Sequence, residues 1–115
     1  MSGEEFNRAA LDELLTIFDL QRIEVFVDNL RQLSVELAQS DVSAVDEIES
    51  RAHKLASRAG ILGCSRLSER SLALEQACRE GSDLHELLRS VEAEAAKADG
   101  HFAKLLEPSR KSVSG

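Results

Sequence analysis

Ala52-His53-Lys54-Leu55-Ala56-Ser57-Arg58-Ala59-Gly60-Ile61-Leu62-Gly63 is the stretch on which the fold turns. Val45, Ile48, Ala52, Leu55, Ala59 and Leu62 follow one another at steps of three or four residues. That spacing predicts one buried stripe on an α-helix. His53 comes one residue after the stripe residue Ala52, so it is turned roughly 100° from the stripe, toward the solvent side. The neighbours that would cover its ring from the C-terminal side are Ala56, Ser57 and Gly60. All three are small, so a large partner has room to approach an imidazole there.

The same period extends outward from this helix. Leu20 to Gln39 carries Ile23, Phe26, Val27, Leu30, Leu33 and Leu37 on one face and charged or polar residues on the other. Ahead of it, a short helix capped by Asn7 or Asp12 carries Leu11, Leu14, Leu15 and Phe18. Ser40-Asp41 closes the second helix and offers a cap for the next. Gly63 is a stop for the His53 helix, and Ser65 to Glu80 follows, with Leu67, Ser71, Leu74 and Cys78 in register before Gly81. Ser82 or Asp83 caps a last helix, with Glu86 in a capping-box position, and its apolar face runs from Leu84 through Val91 and Ala98 to Phe102 and Leu105. These segments predict an all-α chain: an up-down antiparallel four-helix bundle with a short extra N-terminal helix. Residues 1–6 read as a flexible leader, 7–107 as the bundle, and 108–115, beginning at Pro108, as a flexible tail.

Composition excludes several function classes. The chain of 115 residues suffices for one domain, is 43% hydrophobic and 30% charged, and carries a net charge of −7. A balance that acidic argues against a nucleic-acid backbone or an anionic membrane surface as partner. No apolar run approaches a membrane span, and residues 1–5 are acidic without a signal-peptide core, so a cytoplasmic location is expected. Cys64 and Cys78 fall on apolar helical positions and read as buried free thiols. A di-iron bundle wants Glu three residues before His on two helices. The residues at that offset from His53, His85 and His101 are Ser50, Ser82 and Ala98, so no metal site is expected.

The run around His53 resembles the histidine phosphotransfer (HPt) domain of multistep phosphorelays. The resemblance rests on His53, on Leu55 two residues on, on Gly63 ten residues on, then on Leu67 and the Leu74-Glu75 pair of the next helix. It covers nearly the whole chain, since helix number and order also fit. Two positions depart: Ala56 stands where the family has Lys, and Ser57 where it has Gly. The first removes a cation from beside the phosphoryl group, and Lys54 and Arg58 are the candidates to replace it in part. The second adds little bulk.

What the resemblance implies is a carrier, with His53 as phosphoacceptor through Nε2. Such a nucleophile needs its other ring nitrogen to keep a proton and an acceptor to hold it. Glu75, at the Leu-Glu position, is the expected orienting carboxylate. The implied partners are a response-regulator receiver domain and a hybrid sensor histidine kinase. The receiver would dock over His53 on Ala56, Ser57 and Gly60, with Leu15 and Phe18 from the first helix. No cofactor is expected on this chain, because Mg2+ and the aspartate belong to the receiver. A monomer is expected. The alternative is an adaptor or kinase inhibitor that keeps the fold without the transfer.

Overall fold

A computed structural model describes the backbone of residues 6–114 and the side chains of residues 6–104. Among the described residues there are five helices and no strand: α1 (Arg8–Ile17), α2 (Leu20–Ala38), α3 (Val45–Ile61), α4 (Ser65–Glu80) and α5 (His85–Ser114). The expected all-α class is therefore observed. Each of α2, α3 and α4 packs on the next helix in the chain, α5 returns to α2, and α1 lies against α2. The tightest of these pairings is α3 with α4, which is the pair that carries His53 and Glu75.

Local chemistry sets the helix ends. The Asn7 side chain accepts from the Ala10 amide to start α1, and Asp19 Oδ1 accepts from the Arg22 amide at 2.9 Å to start α2. Asp41 Oδ1 accepts from both the amide and the hydroxyl of Ser43, which holds its carboxyl below the usual range, amide bond first. Asp41 therefore caps the turn before α3, while the N-cap residue Ala44 adds no side-chain bond. Gly81 closes α4 with φ +71, a left-handed conformation that glycine adopts without strain.

The stripe predicted for α3 is the centre of the core. Ile48, Ala52, Leu55 and Ala59 are completely buried, Leu62 is nearly so, and Val45 packs at the edge. Facing it are Ile23, Val27, Leu30 and Leu37 of α2, Leu67 and Leu74 of α4, and Val91, Ala98 and Phe102 of α5. Cys64 and Cys78 are buried free thiols, and burial pushes the Cys64 thiol up to about 12.

Phe6, placed in the leader by its sequence neighbourhood, is half-buried, and its ring stacks on His101 with centroids 3.9 Å apart and planes 6° from parallel. His101 is thus no plain surface residue: burial first, then the charges of Arg8 and Lys104, lower its pKa. Residues 1–5 of the expected leader lie outside the described residues. At the other end α5 continues past Pro108 to Ser114, where a loose tail from 108 was expected. The side chain of Leu105, expected on the apolar face, also lies outside the described residues.

Gly100 sits in α5 with nothing within 4 Å of the position its Cβ would take. Ala there loses less backbone freedom on folding and meets no obstacle. Gly100→Ala should therefore stabilise the protein by about 0.5–1 kcal/mol, seen as a higher midpoint in thermal unfolding; a lower midpoint would refute the open geometry.

Candidate functional site

His53 stands on the solvent side of α3, one position past the buried Ala52, with its side chain 67% exposed. Its Nδ1 lies 3.0 Å from Glu75 Oε2 and 3.2 Å from Oε1. Glu75 occupies the edge of the α4 face that packs on α3, next to the fully buried Leu74, and only 8% of its side chain is exposed. An ionised carboxylate is acceptor-only, so the proton of this contact belongs on Nδ1 when the ring is neutral. Nε2 is then the nitrogen with a free lone pair, and it has no bond among the described residues.

The Arg79 guanidinium backs this contact from α4. Arg79 Nη2 donates to Glu75 Oε2 at 2.8 Å, and Arg79 Nε donates to Glu49 Oε2 at 3.0 Å. The bond to Glu49, then the charge of Glu75, raise the pKa of the guanidinium further. On the other side of the ring the ground is open. Ala56, Ser57, Gly60 and Ile61 of α3, with Ser68 and Leu72 of α4, line a shallow hollow that His53 borders. Its α3–α4 seam is closed by the Ser68 hydroxyl, which donates to the Ala56 carbonyl at 2.8 Å. Beyond Ser57 and Ile61 the hollow meets an apolar trough walled by Leu14, Phe18, Phe26 and Leu62, with Arg58 at its side and space of about 440 Å³. Phe18 and Phe26 meet edge to face with centroids 5.2 Å apart.

The residues singled out in the sequence divide by place. His53 and Glu75 come together, and Ser57 and Gly60 lie exposed beside the ring. Ala56 borders the same hollow but is 4% exposed, because α4 covers it; it offers a floor more than a contact. Phe18 is half-buried in the trough wall. Leu15 is exposed on α1 and lines neither depression; its neighbour Leu14 does, one helical step around. Lys54 and Arg58 are exposed and form no ion pair among the described residues; neither lines the His53 hollow, and Arg58 faces the trough.

Several residues that border the site were read from the sequence as core or not assigned to it. Half-buried Leu14 and Phe26 and exposed Ile61 and Leu72 supply apolar surface around it. Leu14 and Phe26 carried a usable signal, since each falls on an apolar helix stripe. Ile61 and Leu72 fall off every stripe, which is the mark of an apolar residue left in water. No group of three or more His, Cys, Asp or Glu that could hold a metal occurs among the described residues.

The arrangement is therefore a ring with one nitrogen held from within and the other offered to solvent, on a helix whose flank is kept low. The family model of the Hpt domain matches residues 10–107. Among curated proteins the chain is similar to mitochondrial 3-hydroxyisobutyryl-CoA hydrolase of Rattus norvegicus, 27% identical over 85 residues, and of Mus musculus, 28% identical over 85 residues. Each match takes in 70% of this chain but only 22% of the hydrolase, and at that identity it assigns no family. No solved structure matches. The Hpt match runs from the first turn of α1 deep into α5 and takes in both His53 and Glu75, and on it the chain belongs to the Hpt domain family.

Proposed function

We propose that this chain is a phosphorelay carrier that takes a phosphoryl group on His53 Nε2 and hands it to a receiver aspartate. The observation that supports it is the His53–Glu75 pair: an exposed ring whose Nδ1 is held by a nearly buried carboxylate. In the accepting step the Nε2 lone pair attacks phosphorus of an aspartyl phosphate. The Nε2–P bond forms, the bond from phosphorus to the carboxyl oxygen breaks, and the aspartate leaves as a carboxylate. The phosphorylated ring keeps its Nδ1 proton and gains positive charge, which Glu75 offsets. The donating step is the reverse on a second receiver. Positioning and charge dominate such transfers, and Mg2+ comes with the receiver, so the carrier needs no cofactor of its own.

The fold that goes with this function is the up-down antiparallel four-helix bundle spanning 7–107, with α1 laid across it. The receiver, or a hybrid sensor kinase, would cover the His53 hollow and the Leu14–Phe18–Phe26 trough, with Lys54 and Arg58 meeting its acidic side. The protein would act as a cytoplasmic monomer; no helix of the described residues is long and apolar enough to cross a membrane.

One observation favours a second reading. Among the described residues no cation lines the hollow at His53, because Ala56 stands where the family has Lys and neither Lys54 nor Arg58 lines it. A bundle that docks a kinase or receiver without accepting phosphate would tolerate that loss. Incubation with a radiolabelled phospho-receiver separates the two. A carrier acquires an acid-labile, base-stable label; a docking adaptor binds the receiver and stays unlabelled with every competent donor.

A further inference from the structure

The guanidinium of Arg79 joins two helices beside the nucleophile. Glu49 and His53 lie one turn apart on α3, and Glu75 and Arg79 lie one turn apart on α4. Arg79 reaches back to Glu75 on its own helix with Nη2 and across to Glu49 with Nε, at 2.8 and 3.0 Å. The Glu75 oxygen it engages, Oε2, is the one that lies 3.0 Å from His53 Nδ1. The four side chains thus form a continuous chain of contacts, Glu49–Arg79–Glu75–His53, across the α3–α4 seam. An exposed Arg–Glu pair usually contributes little to stability. This one differs because one of its carboxylates is nearly buried and already faces a reacting ring.

Resting on the reading of His53 as phosphoacceptor, the geometry points to Arg79 as a positioning residue that brackets Glu75 against His53 Nδ1, with Glu49 as the bracket's anchor on α3. Without Arg79 the only hydrogen-bond partner of the Glu75 carboxylate among the described residues is the imidazole it must orient. Arg79 fixes one oxygen from the far side. Its planar fork serves two carboxylates at once, which a lysine ammonium does less well. When the ring gains charge on transfer, a carboxylate already in place has no reorganisation left to undergo. Arg79 itself touches no reacting atom.

The test pairs a rate with a ring measurement. Single-turnover transfer from a phosphorylated receiver is compared for wild type, R79A, R79K and E49Q. The His53 tautomer is read from long-range 1H–15N spectra of the unphosphorylated proteins. R79A is expected to slow transfer about tenfold, the scale on which loss of a group supporting an oriented imidazole is felt, and to raise the share of ring protonated at Nε2. R79K should recover part of both. R79A with wild-type rate, or with a slower rate and an unchanged tautomer, overturns the proposal, since a structural pair alone would leave the ring's proton where it was. Should R79A fail to fold, E49Q decides: release of the α3 anchor is expected to shift the tautomer in the same direction, and an unchanged ring overturns the bracket. If wild type takes no label at all, the carrier reading falls, and the tautomer comparison alone decides the bracket.

Discussion

His53→Gln is expected to remove all transferable label, a fall of more than about three orders of magnitude, as loss of a nucleophile typically produces, while His85→Gln and His101→Gln keep it. The contrast with His85 carries the weight, because the two sites look alike at short range. His85 is also exposed, and its Nδ1 lies 2.8 Å from Asp83 Oδ1, closer than His53 lies to Glu75. Distance alone would favour His85. Environment reverses the choice. The Asp83 side chain is 80% exposed, against 8% for Glu75. Unit charges about 4 Å apart interact by roughly 1 kcal/mol in bulk water but roughly 4 kcal/mol at the effective dielectric of a protein surface. The charge that forms on a phosphorylated ring is therefore offset better at His53.

The flanks point the same way. His85 lies between Asp83 and Glu86, whose charges repel an incoming phosphoryl group, whereas the carboxylates near His53, Glu75 and Glu49, are both engaged by Arg79. Asp83 also accepts from the His85 ring and amide, ring first, which holds it below the ordinary carboxylate range and keeps it anionic there. His101 is stacked against Phe6 and edge-on to Phe102, so a receiver's aspartate has little access to it. Acid-labile label that survives His53→Gln and disappears with His85→Gln would overturn this assignment. Circular dichroism of each variant checks that the bundle is intact.

How much of this was legible beforehand follows from which forces are local. The α3 stripe was readable because burial imposes its period directly on the sequence, and His53 falls one residue off it. Gly63 and Gly81 were readable as stops because left-handed backbone selects glycine. Glu75 came from the family resemblance together with the need for an acceptor on the next helix; its distance from the ring depends on how α3 and α4 pack. On α1 the phase was ambiguous. Leu11 is buried, and both Leu14 and Leu15 lie within a helical step of it, so spacing could not say which faces the trough. Arg79 reads as an ordinary i, i+4 partner of Glu75 until Glu49 is brought alongside from another helix. Phe6 and His101 meet across nearly the whole chain, and nothing local announces that contact.

Gly63→Ala is expected to destabilise the fold by about 2–4 kcal/mol, and the cost has two separable parts. Gly63 has φ +81, and a left-handed backbone costs an L-residue roughly 1–2 kcal/mol. Gly81, at φ +71, has nothing within 4 Å of an added Cβ and carries that cost alone, so Gly81→Ala is the control. At Gly63 an added Cβ would also collide with the carbonyl oxygen of Asn7, with Asn7 C at 3.3 Å and Ala10 Cβ at 3.5 Å. The Asn7 amide donates to the Gly63 carbonyl, and the Asn7 side chain caps α1. The collision therefore falls on the joint that holds the start of α1 against the end of α3. To relieve it, either the Gly63 turn or the start of α1 must move, at a further cost of about 1–2 kcal/mol on the scale of a lost cap or a buried hydrogen bond. At roughly 4 °C per kcal/mol for a chain of this size, Gly63→Ala should melt about 8–16 °C below wild type and Gly81→Ala about 4–8 °C below. Hydrogen exchange should quicken in α1 for the first variant and not the second. Because α1 and its C-cap residue supply Leu14 and Phe18 to the trough, Gly63→Ala should also weaken receiver binding while leaving the His53–Glu75 pair in place. Equal losses of stability in the two variants would mean that α1 gives way freely, and that the trough is no fixed part of the docking face.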